Sequence, residues 1–163
     1  MSDFGGLLLK DTALSDIQIN EYFKNNKHFR GALLLEEIVK EQFLKDEEFW
    51  IVLLRKNSDI GHWIVMYRRG NKILVFNSFG INYPNINDWI KSKGKGKGKN
   101  LEIFYNDSIY QKVDSSLCGF WCIYVGERLS KGEKYKTVLK EFKNYPNNKY
   151  NCKILLKYFR NVK

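Results

Sequence analysis

The sequence is poor in the residues that build metal centres and disulfide scaffolds: it holds two histidines and three cysteines in 163 residues. No CxxC pair occurs, so a structural zinc site is not expected. An odd number of cysteines, with Cys118 and Cys122 four apart in an apolar stretch, argues against a disulfide framework and for a reducing compartment. No apolar run reaches the roughly 18 residues that a membrane helix needs. The longest candidate, Cys118 to Val125, is far shorter. Met1–Lys10 lacks the charged-then-apolar pattern of a secretory signal. Acidic side chains are also in deficit, 18 against 28 Lys and Arg, which leaves a net charge of +10. Such an excess attracts polyanions through counterion release. Residues 131–163 carry ten Lys and Arg against Glu133 and Glu141, so any polyanion contact is expected at that end.

Apolar residues, by contrast, make up 44% and aromatics 15%, too much for a disordered chain. The length suits one domain over residues 1–163. Ser15 followed by Gln18 is a capping-box pattern, and Ile19, Tyr22 and Phe23 supply an apolar face, which predicts a first helix over 15–26. Residues 32–44 mix apolar and acidic positions and read as a second helix. Phe49–Leu54 reads as a buried strand. His62–Tyr67 and Ile73–Phe76 read as a hairpin closed by Arg69-Gly70-Asn71, and Leu101–Tyr105 as a further strand. Helical patterns begin at Cys118 and recur over 134–143 and 149–161. Helix, strands, then helices predict an α+β domain. Lys91–Lys99 alternates lysine mainly with glycine and reads as an exposed, mobile loop.

Two residues carry most of the chemistry. Cys118 stands where polar residues (Ser115-Ser116) give way to the apolar helical pattern Gly119-Phe120-Trp121-Cys122. At a first helical turn its thiolate would face the positive end of the helix dipole, which lowers the thiol pKa and exposes the sulfur. Gly119 would let the backbone approach a substrate carbonyl. A small buried hydrophobe is the alternative reading for Cys118. His62 opens an alternating strand, and imidazole is the side chain that titrates near neutrality as a general base for a thiol. His28 lies in a polar stretch that reads as a solvated helix end. Cys122 and Cys152 read as packing residues.

The order His62-Trp63, Phe76-Asn77-Ser78-Phe79-Gly80, Gln111, and Cys118-Gly119-Phe120-Trp121-Cys122 resembles the adenain family of viral cysteine proteases, distant kin of the ubiquitin-like-protein proteases. The anchors cover residues 60–125, with weaker similarity around Phe29-Arg30-Gly31. The resemblance implies a cysteine protease fold, a central mixed sheet flanked by helices with the nucleophile at a helix N-terminus. It implies Cys118 as nucleophile, His62 as base, Asn77 in the place of the third triad member and Gln111 as an oxyanion donor beside the Cys118 N–H. Trp63 would pack beside the histidine. Asn77 departs from the family, whose members mostly carry a carboxylate there. The implied activity is a thiol endopeptidase that processes virion precursor proteins as a monomer in the virion and the infected cell. No cofactor is required, though DNA or an activating peptide fits such an enzyme. A protease of ubiquitin-like conjugates is the alternative. Lys93, Lys95 and Lys97 and a stripe of Lys149, Lys153, Lys157 and Arg160 are candidate contacts of the protease to non-specific DNA, with a solvated helix face as the alternative for the stripe. A third functional reading is a catalytically dead, basic nucleic-acid-binding protein. The stripe spans about 80° of helical arc. Gly5-Gly6 is a candidate for self-cleavage.

Overall fold

A computed structural model describes residues 4–55, 61–80, 84–95, 101–111, 115–144, 146 and 148–160. Its centre is a five-stranded mixed sheet in sequence order: β1 (Phe29–Leu34), β2 (Phe49–Arg55), β3 (Gly61–Arg69), β4 (Lys72–Phe76) and β5 (Glu102–Tyr105). The pairs β2–β3 and β3–β4 are antiparallel, while both edge strands, β1 and β5, join in parallel. Gly70 takes φ +62° in the tight β3–β4 turn, a left-handed conformation that glycine adopts without steric cost.

Alternation along β3 divides two apolar layers. Trp63, Val65 and Tyr67 enter the larger layer, with Leu74 and Phe76 of β4. Ile64 and Met66 enter the smaller one, with Ile73 and Val75. Helix α5 (Cys118–Ser130) is the spine of the larger layer and is buried continuously from Cys118 to Gly126. That explains an apolar run too short for a membrane: the helix is covered by the sheet on one side and by other helices on the rest. No helix of the described residues is long and apolar enough to cross a membrane. Gly126 permits the close approach, since a Cβ there would lie 2.8 Å from the Phe49 ring.

Around α5 lie α1 (Phe4–Leu9), α2 (Asp16–Tyr22), α6 (Tyr135–Leu139) and α7 (Lys149–Phe159). The Ser15–Gln18 capping box forms as the sequence predicts, ahead of α2. The smaller layer is covered by α3 (Leu35–Ile38) and α4 (Pro84–Lys95).

Four sequence expectations are corrected. The first helix is α1, whose Phe4 and Leu8 are buried against the core. Residues 32–44 are not one helix: Ala32–Leu34 pair with Ile51–Leu53, and only Leu35–Ile38 is helical. A short apolar run fits either element, and here the neighbouring strand decides. The helix expected over 134–143 is confined to Tyr135–Leu139. The Lys/Gly segment is not a loop over 91–95, which form the end of α4. Ile86 and Ile90 anchor that helix in the smaller layer, and their burial overrides the weak helix propensity of glycine. Residues 96–99 lie outside the described residues.

Candidate active site

The start of β3, the residues after β4 and the start of α5 meet at one place. Cys118 is the first residue of α5, and its Sγ accepts a hydrogen bond from the Trp63 backbone N–H at 3.4 Å. The sulfur therefore sits beside the backbone of the His62-Trp63 pair, 55 residues away in sequence. Cys118 and His62 are 7% and 8% exposed, so both are sheltered while keeping an opening to solvent.

His62 is held from two sides. Its Nε2 lies 2.6 Å from Asn77 Oδ1, and the Phe79 ring stacks on the imidazole at 4.1 Å and 13°. The same Asn77 oxygen accepts the Phe79 backbone N–H at 2.9 Å. A backbone N–H can only donate, so this contact identifies the oxygen of the Asn77 amide. The imidazole must then carry its proton on Nε2, which leaves Nδ1 as a basic nitrogen. Nδ1 is buried and has no hydrogen-bond partner among the described residues.

Gln111 is fixed by comparable logic. Its Oε1 accepts the Ser78 hydroxyl, and its Nε2 donates to the Ser115 carbonyl at 2.8 Å. The Ser78 carbonyl in turn accepts the backbone N–H groups of Tyr110 and Gln111. Asn106 straddles the adjacent strand end: its Oδ1 accepts the Asn77 N–H at 2.8 Å and its Nδ2 donates to the Asn77 carbonyl at 2.6 Å. Asn77, Ser78, Asn106 and Gln111 are all nearly inaccessible, and buried polar groups of this kind hold position because leaving one unpaired is costly.

Gly119 has a structural requirement. A Cβ there would lie 3.0 Å from Leu14 Cβ and 3.4 Å from the Trp63 ring. The bare Cα lets Leu14 and Trp63 close over the helix start, and Trp63 Nε1 donates to the Leu14 carbonyl at 3.0 Å.

The electrostatics reverse one expectation. Burial pushes the Cys118 thiol above its ordinary value, opposed by the N–H groups of Trp63, Gly119 and Cys118 itself. Burial also pushes the His62 imidazole down, opposed by the Asn77 hydrogen bond. The helix start does favour the thiolate, as the dipole argument expects, but desolvation is larger. Both shifts favour the uncharged forms of the two groups, and the sulfur is sheltered rather than exposed. Cys122 is buried one turn on, with its thiol pushed far up, and is a packing residue.

The structure brings Cys118, His62, Trp63, Asn77, Gln111 and Gly119 into one neighbourhood. The expected basic residues lie elsewhere. Lys149, Lys153, Lys157 and Arg160 are exposed along α7, opposite the buried Asn151, Leu155 and Phe159. Lys93 is exposed on α4; the Lys95 side chain and Lys97 lie outside the described residues. Among the described residues no cluster of His, Cys, Asp or Glu could hold a metal ion. Gly5-Gly6 lies within α1, not in an extended stretch. The sequence reading gives no role to Phe79 or Asn106, and Ser78 only as a weaker alternative to Asn77 for orienting the imidazole. Phe79 stands in the Phe76–Gly80 motif, which could have suggested it, whereas nothing local marks Asn106.

No protein-family model matches the sequence, and no curated protein matches it. Solved structures do match the fold. The ASFV protease superposes with a TM-score of 0.65 at 13% identity, over 91% of this chain and 66% of that one. The present chain thus spans just under two thirds of that protease. The C-terminal protease domain of yeast Ulp1, solved in complex with SMT3, the yeast ortholog of SUMO, gives 0.51 at 12% identity, over 94% and 81%. The central domain of an uncharacterized Legionella pneumophila protein gives 0.51 at 13%, over 91% and 96%. The chain has the α+β fold of the ASFV and Ulp1 cysteine proteases.

Proposed function

We propose that the protein is a thiol endopeptidase in which Cys118 attacks a peptide carbonyl with His62 as its base. The observation that carries this reading is the state of His62: Nε2 held by Asn77, Nδ1 left basic and without a partner among the described residues, and the thiol beside the adjoining backbone. Nδ1 takes the thiol proton as sulfur bonds to the carbonyl carbon. The carbonyl oxygen becomes an oxyanion, met by the Cys118 N–H at the start of α5 and by Gln111 Nε2, which spends one of its two N–H bonds on Ser115. The C–N bond then breaks, and the imidazolium gives its proton to the leaving amine. Water, deprotonated by His62, hydrolyses the thioester and restores the thiol. Asn77 keeps the imidazole in the correct tautomer, as an amide can, without contributing charge.

Acid–base and covalent steps both fall to protein side chains, so no cofactor enters the chemistry. DNA or an activating peptide would act on the assembly of the site. The substrates we propose are virion precursor proteins, cleaved in the virion or infected cell by a monomeric enzyme. The support is the adenain-like order of motifs together with the fold shared with the ASFV protease. The second reading, cleavage of ubiquitin-like conjugates, is favoured by the fold shared with a protease domain solved with a SUMO ortholog. Fluorogenic SUMO and ubiquitin C-terminal amides, run beside internally quenched peptides from virion precursors, separate the two. Cleavage of the peptides alone, abolished in Cys118→Ala, supports precursor processing; turnover of the SUMO or ubiquitin amides moves the assignment to the second reading.

A further inference from the structure

We propose that Asp11, on the N-terminal segment, is a positioning residue for the oxyanion donor Gln111; the proposal rests on the proteolytic reading above. The segment is pinned to the core before it reaches the site. Phe4 of α1 stacks on Phe159 of α7 and meets Tyr22 and Phe120 edge-on. After α1 the chain closes into a turn, with Asp11 N–H bonded to the Leu8 carbonyl at 3.1 Å and Thr12 N–H to the Leu7 carbonyl at 3.0 Å. Asp11 adopts φ +50°, a left-handed conformation that Asp, Asn and Gly accept more readily than other residues.

That turn delivers one carboxylate oxygen to the loop before the nucleophile. Asp11 Oδ1 accepts the Ser115 hydroxyl at 3.1 Å and the Ser116 backbone N–H at 3.0 Å, across more than a hundred residues of sequence. Ser115 Oγ also accepts the Leu117 N–H at 3.3 Å, and the Ser115 carbonyl is the acceptor that holds Gln111 Nε2. A continuous path of hydrogen bonds therefore runs from Asp11 through Ser115 to the amide aimed at the developing oxyanion. Three residues farther on, Leu14 closes over Trp63 and Gly119, so the same segment also touches the helix start. Removing the Asp11 oxygen frees the Ser115 peptide to rotate, and Gln111 follows it. Asp11 bonds to Ser115 and Ser116 and, among the described residues, to neither the thiol nor the His62 ring, so these keep their geometry.

The test uses two reagents that demand different things of the site. Acetyl transfer from p-nitrophenyl acetate passes through an oxyanion, whereas alkylation by iodoacetamide is displacement at a tetrahedral carbon and does not. Asp11→Gly keeps the left-handed turn and removes the acceptor; Asp11→Asn keeps both. We expect Asp11→Gly to acylate about tenfold more slowly, with the iodoacetamide rate and the pH midpoint of acylation unchanged, and Asp11→Asn to restore acylation to within about threefold. Ser115→Ala, which removes the hydroxyl at the other end of the contact, carries the same expectation should Asp11→Gly lose its fold. Unaltered acylation in the folded variants, or equal slowing with both reagents, overturns the proposal. A wild-type protein that reacts with neither reagent faster than Cys118→Ala overturns the proteolytic reading itself, and this proposal with it.

Discussion

Replacing Asn77 with Asp puts a carboxylate where the structure has a neutral amide, and the consequence can be worked out. The position is completely buried, and its oxygen lies 2.6 Å from His62 Nε2. An anion at that site favours the imidazolium over the neutral ring by about 1.4–4 kcal/mol, the usual effect of an adjacent opposite charge. Coulomb's law gives about 4 kcal/mol for charges roughly 4 Å apart at an effective dielectric of 20, which sets the upper end. In the wild type, burial pushes His62 down and Cys118 up, and both shifts disfavour the thiolate–imidazolium pair. Each 1.4 kcal/mol multiplies its population about tenfold until it saturates. Iodoacetamide modification of Cys118 at pH 7 should therefore rise by about tenfold to nearly a thousandfold in Asn77→Asp, less where the pair saturates. Burying the carboxylate opposes this, and the variant should lose a few kcal/mol in urea unfolding, reduced by the Phe79 N–H that already donates to the site. Peptide-mass quantification of alkylated Cys118 over time is the assay. A rate equal to or below wild type in a folded Asn77→Asp protein would refute the argument that a charge at position 77 is what the wild-type pair lacks.

Three further outcomes are expected. Gly119→Ala forces a Cβ to 3.0 Å from Leu14 Cβ, which should cost about 1–3 kcal/mol in urea unfolding and slow Cys118 acylation by displacing the helix start. The pH profile of stability follows from the two buried groups. His62 is lowered from its ordinary 6.5, so the unfolded chain binds its proton more readily and stability falls as pH drops below about 6.5; Cys118 is raised from 9.0, so stability falls as pH climbs past about 9. Urea midpoints between pH 7.5 and 5.5 should consequently decline more in wild type than in His62→Gln. If the basic stripe on α7 contacts nucleic acid, DNA affinity measured by anisotropy should fall with salt at a log–log slope of about −3 to −4 for four contacts; no binding at low salt removes that role.

The sequence made the reactive pair accessible because the chemistry demands scarce residue types. With two histidines, the base for Cys118 is a choice between His62 and His28, and His28 occupies its own structural contact through Nδ1 to the Glu47 carbonyl. Asn77 and Gln111 are ordinary residues in isolation, and only the order of motifs drew attention to them. Asn106 and Asp11 stayed hidden because their meaning lies in pairings 29 and more than a hundred residues distant. The strands of the central hairpin were legible from alternation and from Gly70, since both signals are local. Residues 32–38 were not: Ala32-Leu33-Leu34 suits a helix until β2 offers it a parallel partner. The helix-dipole effect on Cys118 is outweighed for a related reason. It is what the helix start gives to a thiolate, while the desolvation that outweighs it is imposed by neighbouring elements.

The central claim is that His62 makes Cys118 an acyl acceptor at neutral pH. The direct measurement is brief exposure of wild type, His62→Ala and Cys118→Ala to p-nitrophenyl acetate at pH 7, with the acetyl group located by peptide mass. The account predicts a thioester on Cys118 in the wild type that is lost in both variants and decays as water hydrolyses it. Acetylation that bypasses Cys118, or that proceeds equally well in His62→Ala, would contradict it.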